Sequence, residues 1–293
     1  MKTSMAEPLR LGTRGSQLAL AQSGQVAAAV TAATGIAVEL VRITTRGDRI
    51  QDRPLPEVGG KGLFTAELEA ALREGRIDLA VHSLKDLPTE DPDGLVLGAI
   101  PQRVDPRDAF VGPTLADVPA GAVVATGSLR RRVQLLALRP DLEIHDIRGN
   151  VDTRLRKRDE GQCVATLLAM AGLLRLGVAR PDIHPFSVDE MIPAVGQGAL
   201  GIQCRGGDER VLGALMAVEH ADTRRCVEAE RAFLAAVGGG CNVPAACHVT
   251  LDGTDLVGVA CFQDESAALR RSQAKGTDAV ALGHALAAAV RPG

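Results

Sequence analysis

Leu9-Arg10-Leu11-Gly12-Thr13-Arg14-Gly15-Ser16-Gln17 and, further along, Val123-Val124-Ala125-Thr126-Gly127-Ser128-Leu129-Arg130-Arg131 follow one pattern. Apolar and β-branched residues run into a short turn of small and hydroxyl-bearing residues, and a helix-compatible stretch begins just after a serine. Serine is a favoured helix N-cap because its oxygen accepts an otherwise unpaired backbone N–H. Both stretches therefore read as strand, turn, capped helix. Outward from the first, the sequence predicts strand Leu9 to Thr13, helix Gln17 to Ala33, strand Val38 to Thr44, helix Leu63 to Arg73 and strand Ile77 to Val81. Outward from the second it predicts strand Val123 to Thr126, helix Ser128 to Leu138, strand Glu143 to Ile147, helix Val151 to Arg158 and strand Cys163 to Leu168. Alternation of this kind implies mostly parallel sheets covered by helices. The class is α/β, with two similar units in series separated by the proline-rich stretch Pro101 to Pro119.

A further strand, Ala199 to Gln203, follows the Gly196-Gln197-Gly198 turn and is expected to return to the first unit. After Asp222 the character changes to a helix Thr223 to Val237, a Gly238-Gly239-Gly240 stop, strand-like runs His248 to Leu251 and Leu256 to Phe262, and an Ala-rich helix Ala279 to Val290. The expected organisation is a discontinuous first domain, 1–100 with 198–217, a second domain, 101–197, and a small α+β third domain, 218–293.

Charge is unevenly placed. Eight arginines lie between Arg130 and Arg158 in a chain of 293 residues whose formal net charge is -3. Guanidinium forks bind carboxylates and phosphates bidentately and stay protonated at any working pH, so the cluster fits a ligand with several negative groups. Arg130 and Arg131 fall in a first helical turn, where cations oppose the helix dipole, and this too points to an anion. Arg156 to Arg158 mix with Asp152, Asp159 and Glu160 and read as a solvated face. With five Phe, no Tyr and no Trp, the chain lacks the aromatic platforms of single-strand nucleic-acid binders. The N-terminus has no apolar stretch after Lys2, so no secretory signal is expected, and no apolar run reaches the roughly 20 residues of a membrane helix. A soluble cytoplasmic protein with six scattered, reduced cysteines follows.

Three other segments carry chemistry. His82-Ser83-Leu84-Lys85-Asp86-Leu87-Pro88 follows a strand, which puts Lys85 and Asp86 at a carboxyl end, where ligands of open α/β sheets bind. Asp86 there can move protons or stabilise a developing cation; a salt bridge to an arginine is its plainer reading. The aperiodic segment 46–62, with Lys61, reads as a lid. Cys241, after three glycines, sits on an open loop suited to a covalent bond. Cys247-His248 raises a metal reading, which the lack of a second paired motif weakens.

Taken in order, Thr13-Arg14-Gly15-Ser16, Val58-Gly59-Gly60-Lys61-Gly62-Leu63-Phe64, His82 to Pro88, Asp105-Pro106-Arg107-Asp108-Ala109-Phe110, Ser128-Leu129-Arg130-Arg131, Arg148-Gly149-Asn150-Val151-Asp152-Thr153-Arg154-Leu155, Ala171 to Gly177, Pro193-Ala194-Val195-Gly196-Gln197-Gly198 and the Gly239-Gly240-Cys241 loop resemble the porphobilinogen deaminase (hydroxymethylbilane synthase) family. The resemblance implies two domains similar to periplasmic binding proteins, with a cleft between them, and a third domain bearing the cysteine. It implies a monomeric cytoplasmic transferase of tetrapyrrole (haem, porphyrin) biosynthesis. Four porphobilinogen molecules are joined head to tail with loss of ammonia, on a dipyrromethane cofactor held through a thioether, and the linear hydroxymethylbilane is freed by water.

By position, the resemblance assigns Cys241 to the covalent attachment and Asp86 to the catalytic carboxylate, which contacts pyrrole N–H groups and stabilises the azafulvenium-like cation. Lys85, Thr126, Ser128, Arg130 and Arg131 are assigned with Asp86 to the cofactor. Arg14, Ser16, Arg148, Arg154, Arg175 and Gln197 are assigned to the substrate and growing chain, and Lys61 to the lid. No metal or nucleic acid is implied. Gly127 departs from the family's second hydroxyl and Ala245-Ala246 from its usual pair after the proline. The alternative from another class is a two-domain small-anion-binding module without catalysis, in which Cys241 is structural.

Overall fold

The computed structural model describes residues 7–45, 65–239, 243–264 and 268–291. The expected lid 46–62 with Lys61, and Cys241 itself, lie outside them. Along the chain run β1 (Leu9–Thr13), α1 (Gln17–Thr34), β2 (Val38–Arg42), α2 (Ala66–Arg73), β3 (Leu79–Ser83), a 3-10 turn at Leu84–Asp86 and β4 (Leu95–Ala99). There follow β5 (Asp108–Val111), β6 (Val123–Ala125), α3 (Leu129–Leu138), β7 (Glu143–His145), α4 (Val151–Asp159), β8 (Ala165–Ala169), α5 (Met170–Arg175) and β9 (Ile183–Pro185). Then come β10 (Leu200–Arg205), α6 (Glu209–Met216), α7 (Ala221–Ala236), β11 (Ala245–Asp252), β12 (Asp255–Gln263), β13 (Leu269–Gly276) and α8 (Ala279–Val290).

Two compact units result, Met1–Arg103 with Ala199–Thr223, and Val104–Gly198 with Arg224–Gly293. The first holds a five-stranded sheet in the order β2-β1-β3-β10-β4 and the second one in the order β7-β6-β8-β5-β9. The two orders correspond: three parallel strands, then one strand antiparallel to both neighbours, then an edge strand. The sheets are therefore mixed, not mostly parallel. β5 enters the second sheet against β8, and β10 enters the first against β3.

Both sheets are buried on both faces, which is why their strands read as apolar runs. In the first unit Leu9, Leu11, Val26, Val30 and Ile202 pack on one side, and Leu68, Leu72, Ile77 and Ala80 on the other. In the second, Phe110, Val124, Leu135 and Leu167 form one core, and Val111, Leu155, Leu168 and Leu173 another. The serines cap as their type predicts. Ser16 Oγ accepts the Ala19 N–H at 3.2 Å and Ser128 Oγ the Arg131 N–H at 3.4 Å.

The second unit also contains the antiparallel sheet β11-β12-β13, covered by α7 and α8 through Phe233, Val249, Leu256, Ala260 and Leu286. Gly283 lets the helices meet, since a Cβ there would overlap the Ala229 carbonyl and the Phe233 N–H. Glu230, fully buried on α7, accepts the Gly196 N–H at 2.7 Å through Oε2 and the Val249 N–H at 2.9 Å through Oε1. It fastens the 193–198 turn to this sheet. The five described cysteines are free and buried. None of the described helices is long and apolar enough to cross a membrane.

One buried group makes the first unit sensitive to acid. His82 on β3 is pushed down to about 4, mainly by burial and also by the nearby Arg14 charge, with a Gln203 hydrogen bond opposing. Its Nε2 is buried and has no hydrogen-bond partner among the described residues. Because the folded value lies below the unfolded one near 6.5, the unfolded chain binds the extra proton between the two. Stability is thus intact above pH 6.5 and falls toward pH 4, by about 3 kcal/mol over that range. Denaturant unfolding at a series of pH values should show this slope, and His82→Gln should flatten it; an unchanged slope would contradict the assignment.

Candidate active site

In the first unit the candidate residues stand at the carboxyl ends of two adjacent parallel strands. β1 runs into Arg14 and Ser16, and β3 into Lys85 and Asp86 within the 3-10 turn. The two ends are joined through α1, whose Gln22 donates from Nε2 to Ser83 Oγ at 2.9 Å. Arg14 lies close enough to His82 for its charge to act on the ring. Asp86 is exposed and, among the described residues, forms no hydrogen bond or ion pair. The plainer reading of Asp86 as an arginine's salt-bridge partner is not found there. An exposed carboxylate without a partner can accept N–H groups or hold a proton.

In the second unit the candidates likewise follow the carboxyl ends of neighbouring parallel strands, β7, β6 and β8. After β6, Thr126 Oγ1 accepts the Ser128 N–H at 3.3 Å, and Ser128 caps α3. After β7, Arg154 Nε donates to Gly149 O at 2.8 Å and Lys157 Nζ to Arg148 O at 3.2 Å, so the helix that follows clamps its own entry turn. After β8, Arg175 closes α5.

Arg130 and Arg131 are not displayed on a surface. Each has about 5% of its area exposed, and Asp108 on β5 lies between them with none. Arg130 Nη1 donates to Asp108 Oδ2 at 2.6 Å and to Ile192 O at 2.8 Å. Arg131 Nε and Nη2 lie 2.9 and 2.7 Å from Asp108 Oδ1, and its Nη1 donates to Leu167 O at 2.9 Å. Burial alone would raise the Asp108 carboxyl, but the two guanidinium charges outweigh it and hold the group well below the usual carboxylate range. Burial pushes Arg131 down from its ordinary value, with Asp108 opposing. The helix-dipole argument for a ligand is thus answered in part inside the protein, by Asp108. Gln197 belongs to the same knot, donating from Nε2 to Asp108 Oδ1 at 3.0 Å and to Pro106 O at 2.7 Å.

Arg175 is the contrasting case. Its Nη2 donates to Gly198 O at 2.8 Å, its buried Nε has no hydrogen-bond partner among the described residues, and burial pushes the group down to about 10. Asp108 carried no role in the sequence reading, though it stood within a quoted motif; an acidic residue heading the buried run Ala109-Phe110-Val111 was the available signal. Arg158, expected on the solvated face, instead pairs with Asp182 at 2.6 Å and is mostly buried. Arg156 does lie exposed beside Glu160. Among the described residues no three His, Cys, Asp or Glu gather as metal ligands.

Residues 9–213 match the family described as "Porphobilinogen deaminase, dipyromethane cofactor binding domain", and residues 224–291 match "Porphobilinogen deaminase, C-terminal domain". The chain is 50% identical over 289 residues to the porphobilinogen deaminase of Roseiflexus sp. (strain RS-1), covering 97% of this chain and 95% of that one. It is 52% identical over 257 residues to that of Roseiflexus castenholzii, covering 86% and 85%. Among solved structures, the methionine binding protein MetQ is similar with a TM-score of 0.47 and 16% identity, over 74% of this chain and 91% of that one.

The two kinds of arginine separate by experiment. Arg131→Met strands a buried carboxylate on one remaining cation and should cost about 3–5 kcal/mol. Arg175→Met removes a buried, unneutralised cation and should cost less than about 1 kcal/mol, because the orphaned Nε penalty goes with it. Urea unfolding of both variants checks the order; equal losses would contradict it.

Proposed function

The chain belongs to the porphobilinogen deaminase family, and we propose that it carries out that family's reaction as a hydroxymethylbilane synthase. Porphobilinogen units are joined head to tail with release of ammonia, and water frees the tetrapyrrole product. The observation that carries the reading to this chain's own residues is Asp86, an exposed carboxylate without a partner among the described residues, at the carboxyl end of β3.

Porphobilinogen carries an acetate and a propionate, an aminomethyl group and a pyrrole N–H. Loss of ammonia leaves a cation delocalised over the ring, and a carboxylate near it is worth more in a partly dry site than in water. Asp86 supplies that charge and accepts the pyrrole N–H. Arg14, Ser16, Arg148, Arg154 and Arg175 hold the acidic side chains of substrate and growing product. Arg175 fits this task, because its Nε is buried and unpaired and a ligand carboxylate would supply the missing acceptor.

A dipyrromethane group suits the second unit's donor set, since Arg130 has nitrogens to spare and Arg175 an orphaned one. When bound it supplies a nucleophilic pyrrole carbon on which growth begins. Lys85, Ser128 and Arg130 are proposed to hold its carboxylates, with Arg131, whose three nitrogens are engaged by Asp108 and Leu167 O, supporting Arg130 through Asp108; Cys241 is proposed to carry the group, with residues 218–293 as the domain that bears it. Lys61 and Thr126 are proposed to assist, the first from the 46–62 segment. Gln197 is proposed to act through Asp108. A monomer acting in the cytoplasm completes the reading.

Intact-mass measurement tests the covalent part. Purified protein should be heavier than its sequence by two pyrrole units, and Cys241→Ser should abolish the increment; an unmodified, fully folded wild type would favour the anion-binding alternative. Asp86→Ala should keep the fold and the far-ultraviolet spectrum while turnover falls about a hundred- to a thousandfold, the range expected when charge stabilisation of a transition state is lost. Near-normal turnover would remove Asp86 from its role.

A further inference from the structure

The buried arginine pair is not symmetric. Arg131 uses all three of its nitrogens inside the protein, two toward Asp108 and one on Leu167 O. Arg130 uses Nη1 alone, on Asp108 Oδ2 and Ile192 O. Its Nε and Nη2 make no hydrogen bond among the described residues. These two nitrogens form one edge of a planar fork, the edge that matches both oxygens of a carboxylate.

Asp108 imposes the asymmetry. Its Oδ1 takes Arg131 and Gln197, its Oδ2 takes Arg130, and the strand that carries it is buried along its whole length. Gln197 is itself held by Pro106 O, so the carboxylate cannot turn without breaking a buried amide contact. Two guanidiniums and one carboxylate leave a single unbalanced positive charge. A site with one open fork edge and one net charge matches a monoanion, whereas a phosphate dianion would leave a negative charge buried.

We propose that Asp108 is the positioning and specificity-determining residue of this site: it engages Arg131 through two of its nitrogens and leaves Arg130 one free edge, built for a single ligand carboxylate. Asp108 touches no ligand and acts through the guanidiniums. The inference rests on the proposed function for the identity of the ligand, an acidic side chain of the pyrrole cofactor, but not for the charge or the geometry.

Asp108→Asn, with wild type alongside, tests it in two ways. The first is the two-pyrrole mass increment, read only on the folded, monodisperse fraction from size exclusion. A purely structural aspartate would lower the yield yet leave each folded molecule fully loaded; the expected result is at least a tenfold drop in loading per folded molecule. The second uses the Cys241→Ser background, in which melting is followed with acetate or inorganic phosphate. The parent should be stabilised more by acetate, and Asp108→Asn more by phosphate. Full loading of folded Asp108→Asn, or an unchanged anion preference, overturns the proposal. A wild type without the increment would sink the function while the anion comparison still judges Asp108. If Asp108→Asn does not fold, Gln197→Leu takes its place, with a partial loss of loading expected and full loading overturning the proposal.

Discussion

A carboxylate with no exposed surface stays ionised only where other charges repay its lost hydration, and Asp108 is such a carboxylate. Its partners come from separate parts of the chain: Arg130 and Arg131 from the first turn of α3, and Gln197 from the 193–198 turn. Through those arginines the Leu167 carbonyl on β8 and the Ile192 carbonyl join the same knot. The same turn is fixed one residue earlier, where the Gly196 N–H meets Glu230 on α7. One connected set of buried polar contacts therefore runs from β5 to the helix that precedes the Cys241 loop. Removing its central charge would leave two buried cations facing each other, which is why the elements around it must form together.

The same bookkeeping of charge sorts the other arginines. Arg139 lies on Asp141, Arg156 on Glu160, and Arg158 and Arg180 share Asp159 and Asp182. Each is satisfied at home and holds a helix end or loop in place. Among the described residues Arg175 pairs with no carboxylate; its Nη2 donates to a backbone carbonyl and its buried Nε has no hydrogen-bond partner. In the first unit Asp86 is an exposed carboxylate with no hydrogen bond or ion pair among the described residues. Groups that fold without their counter-charge are less stable for it, and proteins retain that cost where a ligand completes the pair.

Most strands and helices of the α/β units were legible because their turns and caps are local. β1 and α8 have the bounds that alternation and composition predict, and α3 starts where Ser128 caps it. β5 was hidden between prolines and opens with a charge, since its position is set by a salt bridge to residues more than 20 positions away. β13, Leu-Arg-Arg-Ser-Gln-Ala-Lys-Gly, has too little apolar alternation to announce a strand; it is an edge strand that pairs only with β12. At the site, residue types were readable and pairings were not. Nothing local distinguishes Arg130, with an edge to spare, from Arg131, with none.

Capping and ligand binding looked like competing explanations for Ser16 and Ser128 in the sequence. The geometry dissolves the competition. A hydroxyl has two lone pairs and one proton. At both serines, oxygen accepts a backbone N–H from the first turn of the helix, Ala19 for one and Arg131 for the other. Thr126 does the same for the Ser128 N–H. Each oxygen's role in the cap leaves its proton available as a donor, and accepting a hydrogen bond polarises that O–H further. Helix starts also favour negative charge. A serine that caps such a helix is thus a better donor to a carboxylate than an uncapped one would be.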